Sequence, residues 1–232
     1  MDKYVLIVAG GKGLRIGGDL PKQFIPMRGK PLLMHTLEAF HRWDASARII
    51  LVLPEDHQPY WNMLCKEIGC KVPHAIVKGG DTRFFSVKNG LDWLLAERRR
   101  KGEEDSGLSL VAVHDGVRPF VSPEVVEACF DKAAVTGAVI PVVPMIDSLR
   151  ETDEKGSHPV DRSRYMAVQT PQVFLLELLT KAYEQPYSSL FTDDASVVEA
   201  MGHAIDTVPG DRENIKITTP FDLLIAEAMF AR

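Results

Sequence analysis

The fold is decided at "LIVAGGKGLRIGGDLPKQF", residues 6–24, where an apolar run ends in five glycines, two lysines and an arginine. A continuous apolar run reads as a strand buried on both faces of a sheet. Glycines placed directly after such a strand let backbone N–H groups approach a ligand closely, and neighbouring cations favour an anion. Pro21-Lys22-Gln23 closes the stretch.

Working outward, the same pattern recurs. Apolar runs at 4–8, 49–53, 75–77, 108–113 and 138–143 predict strands. Longer amphipathic stretches at 31–42, 57–68, 84–99, 123–136, 175–184, 193–201 and 220–230 predict helices. The alternation implies one α/β domain over residues 1–232, with a mostly parallel twisted sheet flanked by helices. Two segments break the rhythm. Residues 98–107, RRRKGEEDSG, form a charge run that reads as a solvated connection. Residues 145–165, MIDSLRETDEKGSHPVDRSRY, have strand-like ends around a polar centre and read as a projecting β-hairpin arm.

The chain's 232 residues suffice for a full core. A net charge of −5 argues against general nucleic-acid binding, so an anion site must be a local concentration of Lys and Arg. The three cysteines, Cys65, Cys70 and Cys129, lack metal-ligand spacing and read as reduced thiols. No apolar run reaches the roughly 20 residues of a membrane span. The Met-Asp-Lys start reads as no signal peptide, and the expectation is a cytoplasmic protein.

Two familiar phosphate loops do not fit. A P-loop needs Ser or Thr after Gly-Lys, but Gly13 follows Gly11-Lys12. A dinucleotide fingerprint beginning at Gly11 would have Ile16 in its third glycine position, and Pro21 interrupts the expected helix. The stretch instead resembles the nucleotidyltransferase signature Gly-Gly-x-Gly-x-Arg followed by Pro-Lys.

Further segments carry chemistry. "KGGDTRFFSV" (78–87) supplies Gly80, Asp81 and Ser86, or reads plainly as a turn in which Asp81 or Thr82 caps a helix. "VAVHDGVRPF" (111–120) ends an apolar strand with His114, Asp115, Gly116 and Arg118, where ligands of open α/β sheets gather. A structural Asp115–Arg118 ion pair is the competing reading. "AVQTPQVF" (167–174) and "TDDASVVEAMG" (192–202) add hydroxyls and carboxylates, the latter also a helix cap. "RENIKITTPFDL" (212–223) puts Lys216 on a predicted short strand before a Thr219-Pro220 helix start.

In this order the segments resemble the 2-C-methyl-D-erythritol 4-phosphate cytidylyltransferase family of the non-mevalonate isoprenoid pathway, from residue 4 to about 231. Departures from the family pattern are Gly10 where some members have alanine, Leu14 where some carry arginine, and Ser148 where threonine is common. The resemblance implies attack of a polyol phosphate on the α-phosphorus of CTP, with release of pyrophosphate. It assigns Arg15 and Lys22 to the transition state and Lys216 to the attacking phosphate. It places Ala9, Gly10, Gly11, Lys12, Gly13, Gly80, Asp81 and Ser86 around the nucleotide. Asp115, Gly116 and Arg118 fall where nucleotide ribose and substrate bind. Thr170, Thr192, Ser148 and Arg162 match substrate positions, the last two on the arm.

The resemblance also implies Mg2+ held mainly by CTP phosphates and water, with Asp115 the carboxylate to examine first. His114, without a partner at metal spacing, reads as an ordinary hydrogen-bonded histidine. Finally, it implies a homodimer in which the arm reaches the mate's site. Ribitol 5-phosphate cytidylyltransferase and a catalytically silent nucleotide-sensing subunit are the alternatives.

Overall fold

The computed structural model describes residues 1–10, 20–103 and 107–231. Along the chain run β1 (Asp2–Val8), β2 (Pro26–Met27), β3 (Lys30–Pro31), α1 (Leu32–Trp43), β4 (Arg48–Leu53), α2 (Gln58–Ile68) and β5 (His74–Lys78). These are followed by α3 (Arg83–Lys101), β6 (Ser109–Asp115), α4 (Pro123–Thr136), β7 (Ala138–Pro144), and the arm strands β8 (Leu149–Asp153) and β9 (Gly156–Val160). The remainder is β10 (Met166–Val168), β11 (Gln172–Leu175), α5 (Leu176–Ala182), α6 (Asp194–Glu199), β12 (Asp206–Pro209) and α7 (Pro220–Phe230).

All five predicted strands and all seven predicted helices are present, with ends shifted by a few residues. The eight-stranded sheet runs β10-β7-β11-β6-β1-β4-β5, with β12 also on β7. β5, β4, β1 and β6 are parallel neighbours, as are β7 and β12. β11 runs antiparallel between β6 and β7, and β10 antiparallel on β7. The sheet is therefore mixed but mostly parallel. The period-2 pleat sorts its side chains. Val5, Ile7, Ile49, Leu51, Leu110 and Ala112 join Leu37, Trp61 and Phe130 of α1, α2 and α4. Tyr4, Leu6, Ile50, Val52, Val111 and Val113 join Leu91 of α3, Leu179 of α5 and Val197 of α6 on the other face.

Local chemistry sets the helix ends. Thr82 caps α3 by accepting from Phe85 N, and Ser122 caps α4 ahead of Pro123. Asp193 and Ser196 form a capping box on α6, which is the cap read from Thr192-Asp193-Asp194. At the end of α2, Gly69 in the left-handed region brings Cys70 N to Cys65 O at 2.9 Å. All three cysteines are free thiols.

Two expectations are corrected. The charge run begins inside α3, and Arg98 is buried rather than solvated: its guanidinium donates to Tyr4 Oη at 2.8 Å, Ser109 Oγ at 2.7 Å and Glu103 O at 2.8 Å. A buried charge is tolerated where such bonds replace water. Residues 104–106 lie outside the described residues. Lys216 stands on no strand. Residues 214–218 form an extended connection whose tie to the β6 end is Ile217 N to Val117 O at 3.0 Å, and one backbone bond does not make a ladder.

The expected hairpin is present: β8 and β9 pair Leu149 with Val160 and Asp153 with Gly156 around a Glu154-Lys155 turn, and most of its residues are exposed. At its base Ile146, Tyr165 and Met166 are exposed. Among the described residues no helix is long and apolar enough to cross a membrane.

Candidate active site

The parallel strands β6, β1, β4 and β5 are neighbours in that order and end at the same edge of the sheet. Ala9 N donates to Val52 O and Gly116 N to Val8 O, which holds the end of β1 between its neighbours. After β5, Gly80 N donates to Ser86 Oγ at 3.0 Å, drawing the turn onto the first turn of α3. A Cβ on Gly80 would lie 2.4 Å from that of Phe85, so only glycine permits this approach.

A cavity of about 230 Å3 opens between these turns. Ala9 and Gly10 line it from β1, Gly80, Asp81 and Ser86 from the α3 turn, and Asp115 from β6. Lys22 enters from the short 3-10 turn Lys22–Phe24, and Lys216 from the extended connection. Eight residues chosen from the sequence thus meet at one cavity, although they come from five separate stretches of chain. A larger cavity of about 900 Å3 lies at the opposite end of β6, beside Leu108 and Ser109, away from the glycine turns.

Asp115 is the electrostatic centre. Its Oδ2 lies 3.0 Å from Lys216 Nζ and 3.3 Å from Arg118 Nε, and its Oδ1 4.0 Å from Arg83 Nε. Burial would raise its carboxyl pKa, but Lys216, Arg83 and Arg118 outweigh burial and hold it well below the usual carboxylate range. The Asp115–Arg118 pair of the competing reading is therefore present, as one part of a larger cluster. Behind it, His114 is fully buried and pushed down to about 4 by desolvation, so the imidazole is neutral. His114 Nε2–H donates to Arg118 O at 3.0 Å, which leaves Nδ1 to accept from the Thr170 hydroxyl at 3.0 Å. Thr170 Oγ1 in turn accepts from Asp115 N at 3.2 Å. His114 is the ordinary hydrogen-bonded histidine expected.

Other chosen residues sit elsewhere. Gly116 lies under Ala9, its carbonyl accepting from Thr36 Oγ1 at 2.9 Å. A Cβ on Gly116 would come within 3.0 Å of Ala9 Cβ. Arg118 donates Nη1 to Asn214 O at 2.7 Å, and Thr170 is buried. Thr192 is exposed at the start of the α6 turn. Ser148 and Arg162 are exposed on the arm, where Arg162 Nη1 donates to Ile146 O. Gly11, Lys12, Gly13 and Arg15 lie outside the described residues.

Arg83 was not among the residues chosen from the sequence, yet it lines the cavity and grips the wholly buried Asp194 through both terminal nitrogens, Nη1 at 2.9 Å. A signal was present: Arg83 is the first residue of α3, where the helix dipole disfavours a cation, so a tertiary carboxylate had to compensate. Gln23 also lines the cavity; its Nε2 donates to Ala9 O at 3.1 Å and lies 3.2 Å from His57 Nδ1.

Among the described residues no three His, Cys, Asp or Glu side chains cluster to hold a metal. Asp115, the first carboxylate to examine, faces three cations instead. These residues offer no cage, and a divalent ion here would depend on oxygens brought with the ligand.

The model of the 2-C-methyl-D-erythritol 4-phosphate cytidylyltransferase family matches residues 4–232. The chain belongs to this family. Curated relatives of that name include one from Bacteroides fragilis, 55% identical over 229 residues that cover 99% of this chain and 100% of the relative. Another, from Porphyromonas gingivalis, is 51% identical and covers 98% and 97%. Among solved structures, the Thermus thermophilus cytidylyltransferase is 32% identical with a TM-score of 0.74, covering 100% of both chains. The Anaerococcus prevotii 4-diphosphocytidyl-2C-methyl-D-erythritol synthase is 28% identical with a TM-score of 0.79, covering 100% of this chain and 96% of that one. Cytidylyltransferases are nucleotidyltransferase enzymes, and the fold of this family member matches theirs.

Proposed function

We infer that the protein transfers the cytidylyl group of CTP to 2-C-methyl-D-erythritol 4-phosphate, giving 4-diphosphocytidyl-2-C-methyl-D-erythritol and pyrophosphate. The observation that carries this reading is the convergence of Lys22, Lys216 and Arg83 with two glycine turns at one cavity, in a chain that is acidic overall. Such a site concentrates phosphate and needs no side-chain nucleophile. An oxygen of the substrate phosphate forms a bond to the α-phosphorus, the bond from that phosphorus to the β-phosphate bridging oxygen breaks, and pyrophosphate leaves with the electron pair.

In this reading Lys22, with Arg15, stabilises charge around the α-phosphorus. Lys216 orients the attacking phosphate, and Asp115 holds the lysine's ammonium in place until that phosphate arrives. Ala9, Gly10, Gly80, Asp81 and Ser86 hold the nucleotide, together with Gly11, Lys12 and Gly13. Thr170 acts by orienting Asp115. Mg2+ brought with the triphosphate would neutralise part of its charge, while Lys22 and Lys216 supply the protein's own cations.

The arm is the second element of the proposal. Ile146, Tyr165 and Met166 are exposed, and a two-stranded hairpin is marginal alone in water. A symmetric homodimer would cover them and bring Arg162 and Ser148 to the mate's site, where Thr192 also faces the substrate. The enzyme would work in the cytoplasm. Pyrophosphate release from CTP, measured with methylerythritol phosphate and with ribitol phosphate, tests the reading. Turnover with the first alone is expected; turnover only with ribitol phosphate, or with neither, overturns it.

A further inference from the structure

We propose that Gln169 and Asn214 are positioning residues that set the place of Lys216, and through it the alignment of the attacking phosphate. The proposal rests on the role given to Lys216 above.

Lys216 is carried by a connection without helical or strand bonding, yet its Nζ stands 3.0 Å from Asp115. Something other than secondary structure must hold it. Ile215 and Ile217 on either side pack into the apolar cluster under α7, while Lys216 between them lines the cavity. That fixes the direction of the side chain but not its height along the connection. Beside Ile217 N to Val117 O at 3.0 Å and Arg118 Nη1 to Asn214 O at 2.7 Å, two buried amides contribute the hydrogen bonds that set this height.

The Gln169 side chain brackets the backbone of Asp211: Nε2 donates to Asp211 O at 2.7 Å and Oε1 accepts from Asp211 N at 3.2 Å. Nε2 also reaches Asn214 O at 3.4 Å. Gln169 is itself tied to β7 by its backbone N–H to Pro141 O, and Gly210 N donates to Val142 O. The approach is close enough that a Cβ on Gly210 would lie 2.6 Å from Gln169 Oε1. Two residues before Lys216, Asn214 Nδ2 donates to Thr170 O at 2.8 Å, next to the hydroxyl that bonds Asp115 N. Thus the anchor of the lysine and the anchor of its carboxylate partner are the same residue, Thr170.

Asn214 is completely buried, and its Oδ1 has no hydrogen-bond partner among the described residues. An unpaired buried acceptor costs stability. The amide is therefore poorly suited as a pure stabiliser, and its contribution is the aim of its donor. Neither Gln169 nor Asn214 lines the cavity, so both act through Lys216.

The test uses Gln169→Glu, which keeps the acceptor for Asp211 N but loses the donors, and Asn214→Ala, each alone and combined with Lys216→Ala. Folding and CTP binding are checked by circular dichroism and calorimetry. Each single variant should lose roughly 10- to 100-fold in kcat, the scale of a misplacement near 1 Å, with KM for CTP within about twofold. In the Lys216→Ala background the same substitutions should cost nothing further, because the group they position is gone. Multiplying losses in that background, or normal turnover by the folded single variants, would overturn the inference while leaving the role of Lys216 intact. If Lys216→Ala itself turns over normally, both readings fall. Should one variant not fold, the other carries the test.

Discussion

The sheet-end site and the arm solve opposite problems. At the site, backbone turns, Asp115 and three cations are locked by hydrogen bonds that originate in β1, β6, α3 and the 210–217 connection. On the arm, Ser148 and Arg162 ride a two-stranded ribbon whose nearby apolar side chains face solvent. The first region is preorganised by its own subunit, which suits charge stabilisation at phosphorus. The second is exposed, and under the proposed dimer a partner surface would cover it before it holds a substrate. Under the proposed dimer, nucleotide binding should therefore be independent of assembly, and substrate binding should not.

The largest break in that comparison comes from Lys22→Ala or Lys216→Ala. Each should fold normally, bind CTP, and lose on the order of 100- to 1000-fold in kcat. Near-normal kcat in steady-state assays would remove the cation from the mechanism, and a collapsed thermal midpoint with activity preserved would make it a structural residue.

Next comes complementation across the subunits. Arg162→Ala and Lys22→Ala should each be inactive, yet a mixture that exchanges subunits should recover roughly a quarter of wild-type activity, since about half the dimers are mixed and each has one intact site. Differently tagged chains report the exchange. Mixed dimers that form and stay inactive would return Arg162 to its own subunit. Ile146→Arg should in addition shift sedimentation toward the monomer.

A smaller effect concerns pH. The folded-state pKa of His114 lies at about 4, below the ordinary value of 6.5, so the unfolded chain binds more protons between those values. Stability should therefore be fully present above about pH 6.5 and fall as pH drops toward 4, by roughly 3 kcal/mol from this group. Urea unfolding at pH 7 and pH 4.5 should show a weaker decline in His114→Gln than in the wild type. Asp115, held low by its cations, acts in the same sense at lower pH: its contribution is present above the ordinary carboxylate range and is lost as pH falls through that range.

The smallest effect serves as a control. Ser122→Ala removes the cap of α4, at a residue that does not line the cavity, and should cost about 1 kcal/mol with kcat unchanged. A change in kcat there would mean that activity simply follows stability, and the contrast between the two regions would lose its basis.

Short-range signals specify the layered α/β architecture, the 149–160 hairpin and the glycines after strand ends, whereas the binding role of those glycines is what the family resemblance implies. Runs such as VLIV at 5–8 need burial on both faces, and Gly80 and Lys22 follow strand ends or proline turns directly. The short antiparallel β10 and β11 and the parallel β12 carry too few residues to show a period, and they form because β7 offers open edges. Only tertiary structure decided that Arg98 is buried, that Arg83 clamps Asp194 across 111 residues of sequence, and that Lys216 leaves its predicted strand to meet Asp115. The reason is physical: a strand or cap is selected by neighbours within a few residues, whereas a buried charge is placed by whichever distant group can replace its water.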